Sequence, residues 1–320
     1  MTVSRYIVSI SIAVALCFPA VAQVSDTYVI PAVARTAGGG GTTWTSSVYV
    51  FNPQPYTLNI SITHLPRFGE VGEEILLELP ANMTAATDNV LGEWFETSGS
   101  GSLLFATFQS DNPDVEDSVI ARSFLVRSRT YNAGSSGGTY GQGIPGTFVG
   151  LLDDGISSIA EGVSNIGTPG LGGFRSNIGA VNLGAETAWL LVVVYDENGN
   201  VVGNTFDNPL EFPVHPYAFD QSPLPVSGQN LTLEFFLDDP SGEAVVFPYV
   251  SIVDNKSGDA VYVEPRLLAT GDILYKGGVA MKGVVVQSAK NRFLDLERAR
   301  TVRERSIRIG HVRDGELYRR

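Results

Sequence analysis

Three histidines and 34 acidic side chains are the groups in this 320-residue chain that can move protons or hold ions. His64 falls at the end of an alternating segment, His215 in a loop and His311 near the C-terminus, a dispersal that assigns no Ser/His/Asp triad. Zinc needs three or four clustered His and Cys ligands, and the single cysteine, Cys17, lies in the N-terminal apolar stretch. Calcium is the more natural use of the carboxylates. Asp196, Asn198, Asn200 and Asp207 fall at positions one, three, five and twelve of a calcium loop, although Val201 stands where that loop needs Gly. A hairpin turn is the competing reading of the same residues, and 254–259, with Asp254, Asn255 and Asp259, divides in the same way.

Paired carboxylates for glycoside hydrolysis are defined by their separation in space. Asp153 with Asp154, Asp238 with Asp239 and Asp111 with Asp114 lie beside Gly or Pro, which marks them as solvated turn residues. Aromatic rings stacking on sugar faces are another route to function. Trp94, Tyr131, Tyr140 and Tyr217 are the candidate ligand-binding rings, with core or interface packing as the alternative. Trp44, Trp189 and Phe174 are assigned to the cores. G-x-x-x-x-G-K-[ST] is absent, so the Gly-rich stretches do not form a P-loop. No cofactor is called for apart from the possible calcium.

The elements that must hold these groups are short strands. In 48–50 and 58–62 the apolar residues Val48, Val50, Leu58, Ile60 and Ile62 alternate with polar ones. Asn52-Pro53-Gln54-Pro55 makes the turn between them. The first strand, 28–35, contains Pro31, which suits an edge position. Further strands are expected at 75–79, 103–108 and 118–131, and a short helical turn or irregular loop within 84–95.

This order then repeats. WTSSVYVFN at 44–52 returns as FRSNIGAVN at 174–182, 130 positions later (174 − 44). Residues 159–163 echo the first strand, Glu211-Phe212-Pro213 echoes Glu78-Leu79-Pro80, 231–237 echoes 103–108 and 244–253 echoes 118–126. Asn198-Gly199 between two apolar runs is a strong hairpin signal, because both residues tolerate positive φ. The expected fold is all-β: two tandem antiparallel β-sandwich domains, Ig-like or jelly-roll-like, with a short appended C-terminal tail. The expected boundaries are a signal peptide at 1–22, domain 1 at 28–133, a Gly-rich junction at 134–155, domain 2 at 156–266 and a basic tail at 267–320. Tyr140, Ile144, Phe148 and Leu151 give the junction apolar anchors that a free linker would lack. In the tail, 273–286 reads as strand and 293–305 as helix.

Arg5, the apolar run 6–18 and Ala20-Val21-Ala22 form a secretory signal, with mature residues from Gln23. The Leu16 before Cys17 disfavours lipoprotein processing. Secretion, or a periplasmic or cell-surface location, is therefore expected, with no membrane span. Residues 1–265 hold 8 basic and 28 acidic side chains, net −20, and 266–320 hold 13 and 6, net +7. The acidic body repels nucleic acid and anionic membrane, leaving glycans or other exported or cell-surface proteins as expected partners.

YVIPAVAR at 28–35, WTSSV at 44–48 followed by Asn52-Pro53, TYGQGIP at 139–145, GFRSNIGAVN at 173–182 and YVSIVDNKSGD at 249–259 together resemble a group of exported bacterial proteins with two tandem β-sandwich modules. The resemblance covers 28–265. It implies architecture and an exported location, and carries no catalytic residues. Members finish shortly after the D-N-x-S-G-D segment, so the tail departs from the pattern. The leading expectation is a non-catalytic structural, adhesive or ligand-binding protein, with a carbohydrate-binding pair, and behind it a hydrolase using loop carboxylates, as alternatives.

Overall fold

The computed structural model describes residues 25–38, 41–68, 72–110, 122–134, 138–147, 157–205, 208–239, 241, 244–267 and 303–308. The described chain is nearly all β, built from antiparallel sheets. Its first eight strands are β1 (Thr27–Ala37), β2 (Thr43–Phe51), β3 (Leu58–Pro66), β4 (Glu73–Leu79), β5 (Thr84–Thr87), β6 (Gly99–Ser110), β7 (Leu125–Asn132) and β8 (Gly141–Pro145). The next eight are β9 (Ser158–Thr168), β10 (Gly172–Asn182), β11 (Ala188–Tyr195), β12 (Leu210–Val214), β13 (Ala218–Pro223), β14 (Gly228–Asp238), β15 (Val246–Asp254) and β16 (Ala260–Val263). One helical turn, α1 (Val90–Glu93), follows β5, with the Asn89 side chain accepting from the Gly92 N–H at its start.

The second set of eight repeats the first strand for strand. β1 pairs with β2 and β6, β2 with β5 and β7, β3 with β4 and β6, and β7 with β8. Adding eight to each label gives the second set's pairings. Register repeats as well. Thr36 faces Trp44 and Ile166 faces Phe174; Ser61 faces Ala106 and Leu191 faces Phe236; each residue lies 130 positions after its counterpart. Beyond β6 the offset falls to 122, since Val126 faces Val50 while Pro248 faces Ala180. The sequence echo of 78–80 in 211–213 is out of register: Glu211 faces Leu191, so it matches Leu76, the partner of Ser61, and not Glu78.

β1 corrects an expectation. Pro31 does not lie on an edge strand, because β1 is flanked by β2 and β6. The register with β6 shifts between Ile30 and Val33, and that bulge lies where Pro31 lacks a donor. The Ser102 hydroxyl donates to the Pro31 carbonyl at 2.7 Å. In β9 the corresponding irregularity lies between Ala160 and Val163 and contains Gly162, 130 positions after Ala32, with φ of 74°. The change of partner comes later in each strand: β9 pairs with β14 from Ser158 to Asn165 and with β10 from Ile166 to Thr168, and β1 passes from β6 to β2 at Arg35.

Inward-facing alternate residues close each core. In the second repeat Leu190, Val192, Leu233 and Phe235 meet Ile178, Ala180, Val250 and Ile252. In the first, Val48, Ile60, Ile62, Ile75, Leu103 and Phe105 form the matching cluster. The two repeats also pack on each other. Phe219 and Tyr249 join the first repeat's cluster, and Val29, Leu65 and Leu104 meet Val181, Leu183, Val245 and Phe247 in a further one. Phe219 stacks on Tyr249 with ring centres 5.9 Å apart, and Tyr249 on Tyr262 at 6.0 Å. Gly179 makes room for this stack, since a Cβ there would lie 2.2 Å from the Tyr249 ring.

The segment 134–155 contributes structure of its own. β8 within it bonds to β7 and lies against β16, with Ile144 buried, while Phe148 and Leu151 fall outside the described residues. Gln142 accepts from the buried Ser251 hydroxyl at 3.1 Å, and the Thr147 hydroxyl donates to Glu264 at 2.7 Å. β17 (Arg266–Leu267) adds to β9, and β18 (Arg303–Arg308) runs parallel to β4. The helical reading of 293–305 therefore fails at its end, where 303–305 is strand; 273–286 and 293–302 lie outside the described residues.

Candidate functional site

Asp196 is spent on its own turn. Its carboxylate accepts from the backbone N–H of Asn198 at 2.8 Å and of Asn200 at 2.9 Å, and from the Asn200 side chain at 3.0 Å. The Asn200 amide, and then the backbone N–H groups, hold the Asp196 carboxyl below the usual carboxylate range. Asn198-Gly199 turns the chain, with Gly199 at φ 79°, and Tyr195 bridges to Val201. Asp207 lies outside the described residues. The described part of the motif is thus a hairpin turn held by these amides. No group of three or more His, Cys, Asp or Glu able to hold a metal ion occurs among the described residues.

The other acidic turns follow the same rule. Asp254 accepts from Lys256 N–H, Ser257 N–H and Ser257 hydroxyl. Asp259 accepts from Gly141 N–H at 3.0 Å, tying the second repeat to β8. Asp239, buried, accepts from the Ser241 and Ala244 N–H groups, while Asp238 is exposed. Asp111, Asp114, Asp153 and Asp154 lie outside the described residues.

The candidate aromatics do not form one platform. Trp94 is buried beside α1 in the first core. Tyr131, in β7, is half-buried, and its hydroxyl donates to the Asp88 carbonyl at 3.1 Å. Burial, and next the charge of Asp88, push its phenol up. Tyr140 is exposed just before β8, and its carbonyl accepts from Asn132 N–H. Tyr217 sits in the β12–β13 turn at φ 49° and packs on the cluster between the repeats. Tyr131 and Tyr140 are neighbours across the β7–β8 turn; Trp94 and Tyr217 belong to other parts of the fold.

Three rings assigned to cores lie elsewhere. Trp44 is half-buried, and Phe174 and Trp189 are 39% and 41% exposed. The reason is pleat parity: Leu190, Val192 and Val194 take the inward positions of β11, which sends Trp189 to the opposite face.

His215 has a partner that spacing alone does not reveal. Its Nδ1 lies 3.1 Å from Asp220 Oδ2, and the same oxygen accepts the His215 N–H at 2.8 Å. Asp220 is buried, while the His215 side chain is 38% exposed. The Phe68 ring of the first repeat stands edge-on to it at 6.4 Å, and Arg67 lies 4.3 Å over Phe68 while donating to the Gln221 carbonyl. A carboxylate fixing an imidazole is the orienting half of a general base. Here the same bonds close the β12–β13 turn at the seam between repeats. Arg175 donates to Asn255 Oδ1 at 3.1 Å, and burial pulls its guanidinium down from the ordinary value.

No family profile and no curated protein matches the chain. A lectin from Pleurotus ostreatus in complex with GalNAc is similar over 80% of this chain and 89% of its own, at 13% identity and a TM-score of 0.13. The apo form of Pleurotus ostreatus lectin is similar over 81% and 87%, at 9% identity and a TM-score of 0.14. Scores this low carry no argument about fold or ligand. No helix among the described residues is long and apolar enough to cross a membrane.

Proposed function

We propose that the chain is an exported, non-catalytic protein in which two tandem β-sandwich modules, 28–133 extended by β8 and 156–266, act as one rigid structural, adhesive or ligand-presenting unit outside the cytoplasm. The observation that carries this reading is the strand-for-strand repeat fused through the Phe219–Tyr249–Tyr262 stack. It is supported by where the acidic turn residues spend their bonds: Asp196, Asp239 and Asp254 all cap backbone N–H groups, which builds loops of fixed shape. Export rests on the signal in residues 1–22. Expression of the whole chain in a bacterial host, followed by fractionation and N-terminal sequencing, should give a product beginning at Gln23 outside the cytoplasm. An uncleaved chain retained in the cytoplasm overturns the exported reading.

A glycan-binding role is a second reading, favoured by the exposed Tyr140 beside Tyr131. Binding to a glycan array that is lost in Tyr140→Ala supports it, and an array with no saturable signal removes it.

A further inference from the structure

The seam between the repeats joins two unlike faces, and each repeat owns both. The second repeat brings Val181, Leu183 and Phe247; the first meets them with Val29, Leu65 and Leu104. Register locates the same faces on the opposite repeats. Phe51 faces Leu125 across β2 and β7 as Val181 faces Phe247 across β10 and β15, and Pro53 lies 130 positions before Leu183. Val29 faces Leu104 across β1 and β6 as Ile159 faces Glu234 across β9 and β14, and Tyr195 lies 130 positions after Leu65. The seam uses one face of each repeat. It leaves outside it the first repeat's β2–β7 face and the second repeat's β9–β14 face.

Both of these faces reach solvent. On the first, Leu125 is 49% exposed where its counterpart Phe247 is 5% exposed in the seam; Pro53 and Arg127 are exposed and Phe51 is half-buried. On the second, Glu197 is exposed and Ile159, Tyr195 and Glu234 are half-buried. Glu161 and Arg266 beside Ile159 keep side chains 72% and 85% exposed, whereas Val193 is buried and forms no part of this surface. Charge matches as well. In the seam Arg67 donates to the Gln221 carbonyl, and its charge reaches the Tyr249 hydroxyl. Arg127 is the counterpart of Tyr249, since it faces Tyr49 as Tyr249 faces Gly179, and Glu197 lies 130 positions after Arg67. Where the seam sets a guanidinium near a phenol, the two remaining faces therefore carry an arginine and a carboxylate at the matching places.

We propose that the protein associates head to tail, the β2–β7 face of one copy, with Phe51, Pro53, Leu125 and Arg127, docking on the β9–β14 face of the next, with Ile159, Tyr195, Glu197 and Glu234, as the two repeats already dock within one chain. The inference rests on the structural reading above, because only a rigid pair of repeats presents both faces in fixed directions. A contact between unlike faces has no twofold stop, so copies add beyond the dimer. Burial of Leu125 and Phe51 drives the contact. The pairing of Arg127 with Glu197 selects its register and weakens with salt.

The test is sedimentation velocity of the full chain from Gln23 over a range of concentrations. Wild type should form species larger than a dimer that grow with concentration. Leu125→Asp blocks one face and Glu197→Arg the other; both residues are exposed and lie outside the core clusters, and unchanged circular dichroism confirms that the body is intact. Each variant alone should lose the association. An equimolar mixture of the two should regain it but stop at a dimer, because one copy lends its intact β9–β14 face and the other its intact β2–β7 face. Arg127→Glu and Glu197→Arg in one chain should restore the growth that either change alone abolishes. A wild-type chain that stays monomeric at every concentration overturns the proposal, and if that chain is exported the structural reading still stands. A closed dimer that neither variant weakens, or growth that persists in Leu125→Asp, overturns it too.

Discussion

At the scale of single residues, the repeat is held by asparagine. Asn52 and Asn182, both fully buried, close β2 and β10. The Asn52 amide donates to the Tyr56, Leu79 and Pro80 carbonyls and its oxygen accepts from Gln54 N–H; Asn182 donates to Glu186 and Val214 and accepts from Gly184 N–H. Each therefore ties the following turn to the end of the hairpin beyond it. Asn182→Ala strands buried carbonyls and should cost about 3 kcal/mol, read as a fall in the denaturant midpoint at unchanged slope; a loss within experimental error removes this assignment. Tyr249 gives a second test. Burial, and then its neighbour Tyr262, raise its phenol above the ordinary 10.0, and burial raises Tyr262 likewise. Groups raised on folding stabilise fully below their unfolded value and lose that contribution as pH climbs toward the folded one. Melting temperature should hold to about pH 10 and then fall, with a shallower fall in Tyr249→Phe.

At the scale of elements, β1 and β9 each pair with two different strands along their length and each carry a register irregularity on the way. Both carry a bulge, and its residues differ: Pro31 in one, Gly162 at positive φ in the other. A Cβ on Gly162 would meet nothing within 4 Å, so Gly162→Ala tests the backbone alone and should cost about 1–2 kcal/mol by chemical denaturation. Gly179→Ala, where the Cβ collides with Tyr249, should cost more. Much of this level was legible in the sequence. Alternation at Val48, Val50, Leu58, Ile60 and Ile62 located strands, the Asn that ends each copy located a turn, and the 130-residue spacing located the repeat. What escaped was parity and partnership. A continuous apolar run such as WLLVVVY reads alike on both faces, so nothing local placed Trp189 outside. Pro31 signals only a missing donor, which an edge and a bulge satisfy equally. His215 and Asp220 lie five residues apart, and their contact depends on a turn geometry that spacing does not encode.

At the scale of the whole molecule, the two repeats share side chains. Phe219 and Tyr249 belong by sequence to the second but complete the first repeat's cluster, and Val29, Leu65 and Leu104 lie against the second. An apolar seam of this kind couples the halves more strongly than a polar interdomain contact. Calorimetry should show one transition whose calorimetric and van't Hoff enthalpies agree; two resolved transitions would show that the seam does not couple them. The stack at the seam also sets an order in time. A chain emerging from the ribosome with β1 to β8 made still lacks the rings at 219 and 249, so its first cluster is without two of its buried rings until β15 has been synthesised. A chain ended after β8 should therefore be less stable than the same strands within the whole protein, which limited proteolysis of the two would show.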